Sequence, residues 1–466
     1  LAEALAYWIT DGVARDATTG GPLAALATHA RFGRLFDISE RSLQILSRWE
    51  PLPAKLDETL ALVQALNERF AAPDRAPAHS SAALVAERAR SFVGRGWVIA
   101  RLDEILSAPG FTSGYVLITG EPGIGKTSLL SYLVSTRGLI HHFNSRAEGP
   151  TSATAFFRMV SAQLAARYGV QEATFSDTSM SGAQFSDLLY RAAMSASAER
   201  PLVLAIDALD EAEVPSPGAN RLFLPRVLPP HTYVVATSRE LDDQHLRVDR
   251  REVVHIPDDA PANLADITEY IRSSSSGPNA AAFAARRNAW SMTETEFESF
   301  LASRSEGNFL YISYMLADIA YDRLPEAALS DPSLLPVGLK EYYKNHWDVM
   351  RQRWPQTMAG KYEAALRCLA VMREPVPIQT WTDFAPEEVD ETVARHVIRE
   401  WRQFLNTRWS DHYNTFLYVV YHSTFVDFLR DEGPGLEPYE QHVYESQRDL
   451  VLGVLTMVDR HRPASG

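Results

Sequence analysis

Hydrophobic and polar positions change rhythm along the chain, and those changes divide it. In residues 1–70 apolar side chains recur at spacings of three and four. The clearest run is PAKLDETLALVQALNERF, where Leu56, Leu60, Val63 and Leu66 share one face of an expected helix. The periodicity stops in AAPDRAPAHSSAA, whose Ala, Pro and Ser content predicts a linker, placed at 71–87. From about residue 90 short apolar runs alternate with amphipathic helices: YVLITG, GLIHHF, PLVLAID, TYVVATS and REVVHI. Apolar strands separated by helices are what a parallel sheet covered on both faces requires, so the fold class here is α/β. Past residue 260 helices dominate to about 405, with Ser273 to Gly277 read as a loop between them. NTFLYVVYHSTFVDFLR then predicts a strand running into a helix.

Composition changes this picture in a few places. With 466 residues the chain exceeds one compact core, and about three domains are expected. A formal charge of −14 argues against a mainly electrostatic grip on nucleic acid, which makes nucleic acid an unlikely partner on this reading. One cysteine, Cys368, lies in YEAALRCLAVM and reads as a small buried hydrophobe. A disulfide framework is therefore impossible within the chain, which fits a reducing, cytoplasmic setting. No apolar run reaches the length of about 18 residues that a membrane span needs. The chain begins at Leu1 and ends in RHRPASG, which reads as a piece of a longer protein.

The candidate chemistry begins with GEPGIGKTSLL, which follows the strand YVLITG and opens the helix TSLLSYLVS. Gly120, Gly125, Lys126 and Thr127 fill the fixed positions of a Walker A loop, with Glu121, Pro122, Gly123, Ile124 and Ser128 completing the phosphate cradle. Glycines let the backbone curl so that N–H groups converge on phosphate, and the helix N-terminus adds partial positive charge. Lys126 can reach the β- and γ-phosphates of ATP or ADP, and Thr127 can offer its hydroxyl to Mg²⁺. PLVLAIDALDEAE is an apolar strand ending in carboxylates, expected to lie beside the P-loop strand. Asp207 is the expected partner of the magnesium, directly or through a water, and Asp210 or Glu211 could orient or deprotonate an attacking water. The strand TYVVATSRE brings Thr237, Ser238 and Arg239 to the edge where ligands bind in open parallel sheets, and Arg239 could report on the γ-phosphate.

These residues resemble the NACHT branch of the STAND signal-transduction NTPases, over roughly residues 88–432. The string Asp207, Ala208, Leu209, Asp210, Glu211 carries the likeness, with alanine where glycine is more usual. The resemblance implies that Val93 and Arg95, in SFVGRGWVIARLDEIL, contact the base. It implies that Phe309, in SEGNFLYISYML, stands where a proline commonly packs on adenine. It also implies that His422, in LYVVYHSTFVDFLR, reaches the β-phosphate of ADP from a winged-helix domain. The domains expected on this basis are a helical effector end or connector at 1–70, the linker, a P-loop NTPase domain at 88–260 and a helical lid at 261–340. A winged helix at 341–432 and a helical connector at 433–466 follow.

The resemblance further implies a switch that is closed with ADP and opens on exchange for ATP with magnesium, forming a homo-oligomer. An attached N-terminal effector and an activating ligand sensed by a missing C-terminal region complete that picture, with slow hydrolysis as the reset. The alternative is a DNA-acting AAA+ ATPase of the origin-recognition type, against which stand 11 basic and 14 acidic side chains in residues 341–432. Other constellations read as structural. His141 and His142 point to opposite faces of a strand, and Tyr343, Trp347 and Met350 recur at helical spacing. Arg286 and Arg287 read as solvated.

Overall fold

The computed structural model describes residues 85–90, 92–144, 153–170, 182–212, 219–239, 246–372, 375–410 and 413–446. The expected helices of 1–70, most of the linker at 71–87 and the end of the connector at 433–466 lie outside them. The described residues fall into two compact units, one ending at Trp354 and one beginning at Pro355.

In the first unit, helix α1 (Gly96–Ser107) precedes strand β1 (Gly114–Gly120) and helix α2 (Lys126–Arg137). Strand β2 (Ile140–Phe143), helices α3 (Ala153–Tyr168) and α4 (Gly182–Ala193), and strands β3 (Leu202–Asp207), β4 (Thr232–Ser238) and β5 (Arg251–Ile256) follow. All five apolar runs are strands. They pair in parallel in the order β2-β3-β4-β1-β5. One expectation is corrected here: β3 does not neighbour the P-loop strand, because β4 hydrogen-bonds to both and lies between them. Its sequence explains the place, since TYVVATS is buried along its whole length, as an interior strand with both faces covered must be. Two apolar layers cover the sheet. Phe156, Phe157, Leu164, Leu188 and Ile206 pack on one face, and Val98, Leu102, Ile118, Leu129 and Val235 on the other.

Helices α5 (Pro261–Ser275), α6 (Ala280–Ala289), α7 (Glu294–Arg304), α8 (Phe309–Ala320), α9 (Glu326–Ser330) and α10 (Gly338–Arg353) complete this unit. Their ends are written locally. Pro261 opens α5 where no N–H is needed, and a capping box of Thr293 and Glu296 opens α7. Asn308 caps α8 by accepting from Tyr311 N–H at 3.1 Å. The loop expected at Ser273–Gly277 begins later, because Ser273 to Ser275 form the last turn of α5. Arg286 is not solvated: it donates to Leu329 O at 3.1 Å, pairs with Asp322 at 3.0 Å and lies over Trp290. Tyr343, Trp347 and Met350 form the buried face of α10.

The second unit contains α11 (Gln356–Val371), β6 (Val376–Pro377), α12 (Ile378–Asp383), α13 (Glu391–Glu400), β7 (Leu405–Ser410), β8 (Thr415–Val420) and α14 (Ser423–Asp431). Its strands form an antiparallel sheet in the order β6-β8-β7. Arg367 is fully buried yet satisfied, donating to Leu429 O at 2.5 Å, Glu432 O at 2.8 Å and Gly435 O at 2.9 Å. It thereby ties the turn after α14 to α11. Cys368 is buried beside it, and burial raises its thiol pKa far above the ordinary value. Among the described residues no helix is long and apolar enough to cross a membrane.

Candidate nucleotide site

The C-terminal edge of the five-stranded sheet gathers most of the expected residues. Between β1 and α2 the chain turns through Gly123 and Gly125 at φ 86° and 94°, backbone that only glycine adopts without strain. The turn aims the first N–H groups of α2 outward from the helix start, where they have no intrahelical acceptor. Lys126 is half-buried and donates to Gly120 O at 2.5 Å and Glu121 O at 3.0 Å. Burial lowers its pKa to about 8, with Asp210 and Asp207 pulling the other way.

Asp207, at the end of β3, is 3% exposed. Its Oδ1 accepts the Thr237 hydroxyl at 2.5 Å, and the Thr237 oxygen accepts Ala208 N–H at 2.8 Å. Burial raises the carboxyl pKa, while hydrogen bonds from Thr237 and Thr127 and the charges of Arg88 and Lys126 oppose it. The Thr127 hydroxyl and the Asp207 carboxylate are thus adjacent. Their hard oxygens, on a carboxylate that burial penalises when charged, are the donor set that suits magnesium. When bound there, Mg²⁺ would neutralise phosphate charge and orient the nucleotide.

The small residue after Asp207 has a backbone reason: Ala208 sits at φ 47°, in the left-handed region that favours glycine. That turn leads into the short 3₁₀ stretch Leu209–Glu211. Asp210 Oδ1 accepts Arg239 N–H at 3.2 Å, and its Oδ2 lies 3.6 Å from Arg239 Nε. Arg239 is 35% exposed and its charge reaches Lys126. Lys126, Thr127, Asp207, Asp210 and Arg239 therefore form one cluster, with Glu211 half-buried in the acidic turn beside it.

The remaining expected residues have partners of their own. Arg95 is 2% exposed, and its guanidinium donates to Ile124 O at 2.5 Å, pairs with Asp266 at 3.6 Å and lies 4.8 Å from the Phe309 ring centroid. Burial lowers its pKa to about 10, against the pull of Asp266. Its donors serve the back of the P-loop. Phe309 packs on Tyr270 as well, and Val93 is half-buried in the turn before Arg95. His422 caps α14 in the second unit, where its Nδ1 accepts Thr424 N–H at 3.3 Å.

Sequence reasoning missed three residues and gave a fourth, Thr237, a place at the sheet edge but no role. Asn308 donates from Nδ2 to Pro122 O at 2.9 Å, and Asp266 anchors Arg95 and Trp97. Asn144 donates to Asp207 O at 2.8 Å, and Thr237 orients the Asp207 carboxylate. Only Asn308 carried a signal, as an N-cap residue before the apolar run FLYIS. His141 and His142 do point apart: His142 is fully buried on Phe156, and His141 meets the Leu139 carbonyl at 3.1 Å.

A glycine loop opening a helix, a buried carboxylate two strands away and an arginine at the strand between them are the features of the P-loop NTPase fold. Residues 91–234 match the family model of the AAA ATPase domain. Among curated proteins, the Holliday junction branch migration complex subunit RuvB of Streptomyces avermitilis is 30% identical over 172 residues, 36% of this chain and 43% of the relative. That of Streptomyces griseus is 28% identical over 193 residues, 41% and 46% of the two chains. The chain thus spans less than half the length of these relatives.

Solved structures similar to it include Cdc6p from Pyrobaculum aerophilum, 12% identical over 81% of this chain and 96% of that one, with a TM-score of 0.30. The RuvB branch migration motor of Thermotoga maritima is 13% identical over 74% and 97%, at 0.28. A Drosophila ORC bound to DNA is 12% identical over 74% and 97%, at 0.34. Overlaps this loose carry no argument about this chain.

Two expectations change in this light. The family match is to the AAA ATPase domain and gives no support to the NACHT assignment. The expectation that nucleic acid is an unlikely partner is corrected by the curated relatives, which are named as subunits of a Holliday junction branch migration complex. A net charge summed over 466 residues does not report the local surface that meets a polyanion.

Proposed function

We propose that this chain is a magnesium-dependent ATPase of the AAA type that works on DNA. The observation that carries the ATPase part is the single cluster of Lys126, Thr127, Asp207, Asp210 and Arg239 at one sheet edge. In this reading the P-loop N–H groups and Lys126 hold the phosphates, and Thr127 and Asp207 hold the magnesium. Asp210, already bonded to Arg239, keeps the arginine beside the γ-phosphate position. Glu211 orients the attacking water. The DNA part is supported by the RuvB relatives, over the fraction of their length that matches.

ATP hydrolysis measured with and without duplex and four-way-junction DNA tests it. The expected result is stimulation by DNA and a mobility shift that weakens with salt. Hydrolysis indifferent to every DNA tested, with no shift at submicromolar protein, would remove the DNA part.

The nucleotide-switch reading rests on the Asp207 to Glu211 string and on the resemblance that gives His422 a phosphate-reading role. Its own mark would be tightly held ADP in purified protein, loosened by His422→Ala.

A further inference from the structure

Every carbonyl oxygen from Gly120 to Gly125 accepts a hydrogen bond. Gly120 and Glu121 take Lys126, Gly125 takes Leu129 N–H at 3.0 Å, and the three between them are taken from outside the loop and its helix. Pro122 O accepts Asn308 Nδ2 at 2.9 Å, Gly123 O accepts Leu310 N–H at 3.1 Å, and Ile124 O accepts Arg95 Nη2 at 2.5 Å. Asn308 and Leu310 belong to the start of α8.

The fit is close. A Cβ on Gly123 would lie 2.6 Å from Asn308 Oδ1, and one on Gly94, beside Arg95, would lie 2.5 Å from Asp266 Oδ1. Asp266, on α5, holds Arg95 and also accepts Trp97 Nε1–H at 3.2 Å. Asn263, one turn earlier on α5, donates to Asp258 O at 2.6 Å and Gly307 O at 3.0 Å, which fixes the approach to α8. The back of the P-loop is therefore built by α5, α8 and the turn before α1.

A trans peptide points its C=O and the next N–H in opposite directions. Drawing Pro122 O and Ile124 O toward the helices consequently turns the N–H groups of Gly123 and Gly125 the other way, into the concave side of the loop. Ile124 N–H closes a turn onto Glu121 O at 3.3 Å instead.

We propose that Asn308 and Arg95 are positioning residues for phosphate: they set the P-loop N–H groups from behind and make phosphate affinity depend on the seating of α8 against the loop. This deepens the reading of residues 120–127 as the phosphate cradle and rests on it. A change that lifts α8 from the loop releases the carbonyls, lets the peptides turn and weakens the hold on nucleotide.

Asn308→Asp separates this role from helix capping. Aspartate caps as well as asparagine and still accepts Tyr311 N–H, but it has no N–H for Pro122 and sets a carboxylate against that carbonyl. The expected result is binding of a fluorescent ATP analogue weakened about tenfold or more, with far-UV circular dichroism unchanged and faster hydrogen exchange in residues 120–126. Asn308→Ser, which caps but is too short to bridge to Pro122, gives the same loss in the same direction. It also keeps the test open if the aspartate variant fails to fold. Wild-type affinity and loop exchange in a folded Asn308→Asp or Asn308→Ser protein overturn the proposal. Lys126→Ala serves as the control: if it binds the analogue like wild type, the cradle reading itself has failed, which is a different outcome from an inert Asn308.

Discussion

The P-loop and the acidic turn face the same site but are shaped by opposite means. The loop is held through its backbone: glycines at positive φ supply the curl, and carbonyls drawn to Asn308, Leu310 and Arg95 fix its peptides. The turn from Asp207 to Glu211 is held through side chains, with Thr237 on Asp207 and Arg239 on Asp210. A backbone-built element keeps its shape through changes of side chain and loses it on changes of backbone freedom. A side-chain-built element does the reverse. Mutations can break that contrast in order of size.

The largest effect is expected from Lys126→Ala, which removes the side chain proposed to hold phosphate and should abolish detectable ATP hydrolysis, a loss of at least about a hundredfold. Gly123→Ala comes next. It forces φ 86° on an L-residue and drives a methyl into Asn308, so nucleotide affinity should fall about tenfold and thermal stability by about 1–2 kcal/mol, read by titration and calorimetry.

On the acidic side, Thr237→Val should leave ATP binding in EDTA unchanged but blunt its tightening by Mg²⁺, by roughly fivefold or more. Thr237→Ser should restore it, because the hydroxyl on Asp207 is what matters and not the methyl. Smaller still, Ala208→Gly relieves the left-handed strain at φ 47°. Because glycine also loosens the unfolded chain, the net gain in stability should stay below about 1 kcal/mol with hydrolysis intact. Cys368, buried and with its thiolate disfavoured, should react with thiol reagents only when the C-terminal unit opens.

Much of this was legible in the chain. Interior parallel strands must be apolar on both faces, so YVLITG, PLVLAID and TYVVATS announced themselves, and the glycine spacing announced the loop. Strand order was not legible, because hydrogen bonding between strands distant in sequence leaves no local trace. That is how β3 came to be expected beside β1. The support behind the loop stayed hidden for the same reason: Asn308 and Asp266 lie well over a hundred residues from the groups they hold. The resemblance gives Arg95 a base contact; the partners it has in the structure, a backbone carbonyl, a buried carboxylate and a phenyl ring, left no mark in the sequence. The serines at 273–275 looked like a loop by composition, and packing of α5 carried the helix through them.

In the proposed site Lys126 and Asp207 divide one magnesium nucleotide between the backbone-built loop and the side-chain-built turn. The most direct test of that division is titration of a fluorescent ATP analogue with and without Mg²⁺ against wild type, Lys126→Ala and Asp207→Asn. Lys126→Ala is expected to lose binding under both conditions, whereas Asp207→Asn keeps the magnesium-free affinity and loses the gain from Mg²⁺. Full magnesium-linked tightening in Asp207→Asn, or unchanged binding in Lys126→Ala, would contradict that division.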